Sequence, residues 1–119
     1  MSIKSGQRYK ITNQLTELAV DLNGGNNKSI IGWTPHGGEN QQWIIDEQVN
    51  GQWTIRSVSS QKYLGIEKAP DNGTHLVVLD KPQFWDIEIL PDSNDPTKPS
   101  VKYVLSHTSL AIASDLEFL

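Results

Sequence analysis

Apolar residues along this chain come in short runs. Clusters of Gly, Asn, Asp and Pro separate the runs. Runs of this length, rich in Ile, Val, Leu and aromatic residues and bounded by turn formers, predict β-strands. They fall at residues 8–13, 18–22, 30–33, 43–46, 53–57, 63–66, 76–79, 85–90, 102–106 and 110–113. The punctuation lies at residues 23–27, 35–38, 50–51, 70–73 and 91–99. No stretch reads as a long helix. The expected class is all-β.

The runs repeat. Tyr9-Lys10-Ile11 opens a first copy, Trp53-Thr54-Ile55 a second and Tyr103-Val104-Leu105 a third. Twelve residues after each opening aromatic stand Asp21, Gly65 and Asp115. A Gln-x-Trp element closes the first two copies, as Gln41-Gln42-Trp43 and Gln83-Phe84-Trp85. It falls 32 residues after Tyr9 and 30 after Trp53. Gly6-Gln7 and Gly51-Gln52 precede the first two openings at the same offset. A single match of this kind is unremarkable. An ordered set at one period indicates a repeat architecture, in which each copy buries its apolar face only by packing on its neighbours.

This pattern resembles the ricin-B-like lectins, the QxW β-trefoil family, and within it the small cysteine-free fungal branch. The resemblance rests on Tyr9-x-Ile11-x-Asn13, Val20-Asp21-Leu22-Asn23-Gly24-Gly25, Ile30-Ile31-Gly32-Trp33, His36-Gly37-Gly38 and Asn40-Gln41-Gln42-Trp43. Trp53-x-Ile55-x-Ser57, Lys62-Tyr63-Leu64-Gly65-Ile66 and Gln83-Phe84-Trp85 carry it through the second copy. It implies a β-trefoil of three pseudo-repeats in one domain spanning 1–119. Repeat one is expected at 6–50, repeat two at 51–90, a linker at 91–99 and a partial repeat three at 100–119.

Four strands in each of three copies make the trefoil count of twelve, and the third copy falls short of it. Leu119 comes four residues after Asp115, and a full copy needs about 25 to 30 residues more. Three explanations stay open: a truncated or alternative product, missing strands supplied by a partner through domain swapping, or an incomplete trefoil with an open edge that invites association. Ten strands, an incomplete third repeat and a tendency to form homodimers are expected.

Composition narrows the picture. One domain of 119 residues carries a formal net charge of −4, with its ten Lys and Arg scattered. No basic stripe forms, which argues against nucleic acid as a partner. No apolar run approaches a membrane span. The chain has no cysteine, and its first residues lack the apolar core of a signal peptide, so a cytoplasmic location is expected. Two sequons, Asn27-Lys28-Ser29 and Asn72-Gly73-Thr74, read as turns.

The candidate chemistry lies in the first copy. A sugar presents a face of C–H groups and a rim of hydroxyls, so binding it needs an aromatic plate and fixed polar groups. Asp21 can accept two hydroxyl donors through charge-assisted bonds. Asn40 donates and accepts. Gln41 can brace Asp21. Trp33 offers a plate, and His36 an N–H or a ring face. Gly24, Gly37 and Gly38 let backbone amides approach a ligand. The resemblance implies sugar binding by Asp21, Trp33, Asn40 and Gln41, joined by the His36-Gly37 turn. It also implies glycans or glycoproteins of the galactose, N-acetylgalactosamine or lactose type as partners. Plainer roles remain open: Trp33 as core, His36 as a turn residue, Asp21 as a turn cap, Gln41 and Gln83 as structural braces. Gly65 and Pro82 stand where Asp21 and Asn40 stand, so the second copy is expected not to bind. The third keeps Asp115 alone.

Other chemistry is thinly supported. There is no cysteine, no Gly-x-Ser-x-Gly and no phosphate loop, and His36, His75 and His107 lie far apart without metal spacing. Neither enzymatic activity nor a cofactor or metal is expected. Asp21-x-Asn23-x-x-Asn26 lacks the remaining ligands of a calcium loop. The competing reading is a trefoil that has lost sugar binding and serves as a protein-interaction subunit or protease inhibitor, through residues 69–73 or 91–99.

Overall fold

β-Branched and aromatic residues at alternate positions turn one side of each short strand inward. The computed structural model describes residues 3–13, 16–67, 76–89, 100–105 and 111–118, with backbone alone at 89, 100–105 and 111–118. The strands are β1 Gln7–Asn13, β2 Ala19–Leu22, β3 Ile30–Trp33, β4 Trp43–Glu47, β5 Trp53–Ser57, β6 Tyr63–Gly65, β7 Val77–Leu79, β8 Trp85–Ile89, β9 Ser100–Leu105 and β10 Ala111–Phe118. A 3-10 turn, Glu39–Gln41, leads into β4. No helix among the described residues is long and apolar enough to cross a membrane.

Six strands close a ring of antiparallel neighbours: β1 with β4, β4 with β5, β5 with β8, β8 with β9, β9 with β10, and β10 back to β1. Two hairpins, β2–β3 and β6–β7, hang from this barrel through Thr12 opposite Ala19 and Arg56 opposite Tyr63. They meet each other through the Ser29–Val77 bridge, Ile30 N–H to Leu76 O (3.1 Å) and Val78 N–H to Lys28 O (2.9 Å). This is the β-trefoil plan of barrel and hairpins.

The third copy is incomplete and ten strands are described, both as expected, but the described barrel lacks the expected open edge. β10 pairs with β9 on one side and β1 on the other, with Ile11 opposite Leu116, so the described barrel has no open edge. Asp115 lies opposite Thr12 in a barrel strand, whereas Asp21 lies opposite Ile31 in a hairpin strand. The two aspartates are therefore not equivalent. The reason is chain length. Residues 106–110 alone separate β9 from β10, while the hairpin of the first copy occupies Ala19 to Trp33. Five residues cannot make that hairpin, so the chain proceeds directly to the closing strand. Closure leaves the described barrel without the open edge that was one reason to expect homodimers. The expected linker at 91–99 lies outside the described residues.

Tyr9, Ile11, Trp43, Ile45, Ile55 and Trp85 fill the barrel, and Leu22, Leu64, Ile66 and Val78 extend the core under the hairpins. The tryptophans of both Gln-x-Trp elements are fully buried and act alike. Trp43 Nε1–H donates to Val20 O (3.0 Å) and Trp85 Nε1–H to Leu64 O (3.1 Å). Each indole thus fills the core and ties a hairpin to the barrel with the bond its buried N–H requires.

Candidate functional site

The Val20-Asp21-Leu22 strand turns a carboxylate inward between apolar neighbours. Asp21 is 3% exposed, and a buried charge is tolerated only if it is hydrogen-bonded. The 3-10 turn supplies the donors. Gln41 Nε2 donates to Asp21 Oδ2 (2.8 Å) and Asn40 Nδ2 to Asp21 Oδ1 (3.1 Å). The turn itself is closed by Gln41 N–H to Gly38 O (2.9 Å) and Gln42 N–H to Glu39 O (3.1 Å).

Gln41 is 1% exposed, and each of its polar atoms has a partner. Its second Nε2 proton goes to Thr34 O (3.0 Å), and its Oε1 accepts His36 N–H (2.9 Å). It joins β2, the β3 exit and the 3-10 turn in one knot. Asn40 spends its second Nδ2 proton on Leu22 O (3.2 Å), leaving Oδ1 as an acceptor. An ionised carboxylate offers about four acceptor positions, and the two amides take one on each oxygen of Asp21. About two remain.

Trp33 ends β3 opposite Ala19, and Asp21 faces Ile31 on the same hairpin. Residues two apart on a strand share a face, so the register places Trp33 diagonally across from Asp21 on one face. Trp33 is 56% exposed, which excludes the plain core role. Its ring is a half-exposed apolar surface on the face that carries Asp21.

His36 and the two glycines form the rim. Gly37 has φ +77°, a left-handed conformation that side chains resist. A Cβ on Gly38 would sit 2.7 Å from His36 Cε1 and 3.0 Å from Asn40 Oδ1, so this position cannot carry a side chain without moving both. Gly38 N–H donates to His36 Nδ1 (2.9 Å), and His36 Nε2 stands 3.8 Å from Asp21 Oδ2. Asp21, Trp33, His36, Gly37, Asn40 and Gln41 are thus gathered by the β2–β3 hairpin and the segment that follows it. Gly24 sits in the exposed turn of that hairpin, with open space where a Cβ would stand. A contribution that residue types did not reveal comes from Gln42, whose Nε2 donates to Gly37 O (2.9 Å). The only sequence trace of it is the change to Phe84 at the matching place.

The second repeat builds the same corner without the charge. Gln83 Nε2 donates to Ile66 O (2.7 Å) and its Oε1 accepts Ile66 N–H (2.9 Å). A Cβ on Gly65 would lie 2.4 Å from Gln83 Oε1, so an aspartate cannot stand there with Gln83 in place. An open cleft of about 490 Å³ remains, lined by Ile66, Glu67 and the run from Leu79 to Gln83. Among the described residues no group of three or more His, Cys, Asp or Glu is placed to hold a metal ion. Residues 69–73 and 91–99, the loops considered for protein inhibition, lie outside the described residues.

Residues 2–79 match the family model described as a ricin-type beta-trefoil lectin domain-like. A ricin B-like lectin of Macrolepiota procera, solved in complex with lactose, is 34% identical with a TM-score of 0.81, the match covering 100% of this chain and 91% of that one. Two more distant structures share the fold. A designed threefold-symmetric protein, ThreeFoil, is 20% identical with a TM-score of 0.75, covering 93% of this chain and 87% of that one. The Rhizoctonia solani agglutinin is 19% identical with a TM-score of 0.70, covering 100% and 97%. No curated protein sequence matches the chain.

Proposed function

The chain belongs to the ricin-type β-trefoil lectin family, and from that premise we propose that it binds glycans ending in galactose or N-acetylgalactosamine through one site in the first repeat. The observation that carries the proposal is the buried Asp21 carboxylate, braced by two neutral amides, with an exposed tryptophan on the same face.

In this reading the site is rich in acceptors. The free positions on Asp21 and the Oδ1 of Asn40 take protons from adjacent ring hydroxyls. Bonds to the carboxylate are charge-assisted and are the stronger ones. His36 lies close enough to Asp21 for one hydroxyl oxygen to bridge them, donating to Oδ2 and accepting from Nε2–H. Trp33 covers the C–H face of the ring. A sugar with an axial hydroxyl beside an equatorial one presents two donors and an apolar face at once, which favours galactose-type rings. The relative solved with lactose is consistent with that class.

Open monosaccharide sites bind weakly, and an affinity of ~1 mM corresponds to only about −4 kcal/mol. Firm attachment to a glycosylated surface then requires several sites acting together, which can add roughly 10²- to 10⁴-fold. The test is a glycan array probed with the whole chain and with Asp21→Asn. Retention of galactose-terminated glycans by the wild type, lost in the variant, is the expected result. Equal retention by both would remove Asp21 from the site.

A further inference from the structure

We propose that Gln42, anchored by Arg8, is a positioning residue that holds His36 in its neutral Nε2–H tautomer and so gives the site one N–H donor beside Asp21. Gly37 C=O and Gly38 N–H belong to one peptide unit, and both ends of it are held. Gln42 Nε2 donates to the carbonyl (2.9 Å), while the N–H donates to His36 Nδ1 (2.9 Å). A peptide held at both ends cannot flip, and Nδ1 facing an N–H can only accept. Which imidazole nitrogen carries the proton is set by the bond the other one makes. The proton of a neutral His36 therefore lies on Nε2, the atom 3.8 Å from Asp21 Oδ2.

Gln42 is itself fixed. Its backbone N–H donates to Glu39 O (3.1 Å) and its C=O accepts Val58 N–H (3.0 Å). Its side-chain Oε1 accepts from Arg8 NH1 on β1 (3.2 Å), which leaves Nε2 aimed at Gly37. The relay thus runs from a barrel strand to the rim of the site. Phe84 occupies the matching place in the second Gln-x-Trp element, is partly exposed and cannot donate. The middle residue of that element separates the copy with a carboxylate from the copy without one. The charged group facing the ring is Asp21 on β2.

The tautomer half of the proposal stands on the geometry alone; the effect on ligand rests on the glycan reading. Long-range ¹H–¹⁵N spectra of the whole chain, ¹⁵N-labelled at histidine and recorded at neutral pH, separate the two halves. His36 is assigned with His36→Gln. The wild type is expected to show His36 as the Nε2–H form. Gln42→Met, of similar length but without the amide, is expected to show a mixture of tautomers and to bind lactose about five- to tenfold more weakly, the worth of roughly one hydrogen bond. Arg8→Met shifts both readouts in the same direction by less. Should Gln42→Met not fold, Gln42→Glu presents Gly37 O with no donor and replaces it. An Nδ1–H form in the wild type, or an unchanged Nε2–H form in the folded Gln42 variants, overturns the proposal. An Nε2–H wild type that becomes mixed in the variants but binds no lactose supports the positioning role and sinks the glycan reading.

Discussion

The two Gln-x-Trp glutamines occupy matching positions yet hold different things, and replacing each with leucine separates their roles. Gln83→Leu removes two neutral bonds, both to the backbone of Ile66. At about 1 kcal/mol each, the loss is about 2 kcal/mol. Gln41→Leu removes two neutral bonds, to Thr34 O and His36 N–H, and one bond to a buried carboxylate. A bond to a charged group is worth about 1.5–3 kcal/mol, which brings the loss to about 3.5–5 kcal/mol. The difference between the variants, about 1.5–3 kcal/mol, is the part owed to Asp21. Equilibrium unfolding in urea measures it, with similar slopes in both variants showing that the unfolded states compare. A double-mutant cycle between Gln41→Leu and Asp21→Ala is expected to return a coupling of about the same size. Equal losses in the two glutamine variants, with a coupling near zero, would show that Gln41 is only a structural brace and that its bond to Asp21 adds nothing.

Three further outcomes follow from the same contacts. Trp33→Ala, at an exposed position, is expected to change stability by less than about 1 kcal/mol and to weaken lactose binding about tenfold, read by titration beside a thermal melt. Gly65→Asp is expected to cost more than about 2 kcal/mol by dislodging Gln83 and to create no second sugar site, checked by melting and by stoichiometry of binding. Burial raises the Tyr9 phenol above its ordinary value of 10.0, against the lowering effect of the Lys4 backbone N–H that it accepts (2.9 Å). The unfolded chain therefore ionises first, so this contribution is whole below about pH 10 and fades as pH rises through the folded value. Tyr9→Phe should flatten that alkaline loss in melts recorded between pH 8 and 11.

Most of the barrel was legible in the sequence because strand and hairpin signals are local. Tyr9-x-Ile11 and Trp53-x-Ile55 alternate as strands, and glycine-rich turns end them, so the boundaries agree to within a residue or two over the first eight strands. The third copy misled because spacing from Tyr103 to Asp115 copies the spacing from Tyr9 to Asp21, while pairing partners are not written in spacing. Only the short connection at 106–110 carried the information that β10 must close the barrel. In the candidate site, the grouping of Asp21, Asn40 and Gln41 was legible from the repeat pattern and the family resemblance, and hydrogen bonds join the three. Gln42 was not, since its bond to Gly37 depends on the path of the 3-10 turn. Gly38 is expected from the sequence to let a backbone amide approach a ligand. The structure gives a different cause: it makes room for His36.

The proposed site for a galactose-type ring is the Asp21 corner of the first repeat. An NMR titration of the ¹⁵N-labelled chain with lactose tests it most directly, because it detects millimolar binding and maps it to residues. Saturating shifts centred on Asp21, Trp33, His36 and Asn40, abolished in a folded Asp21→Asn variant, are the predicted result. Shifts that are absent, or that cluster instead at the cleft from Leu79 to Gln83, would contradict it.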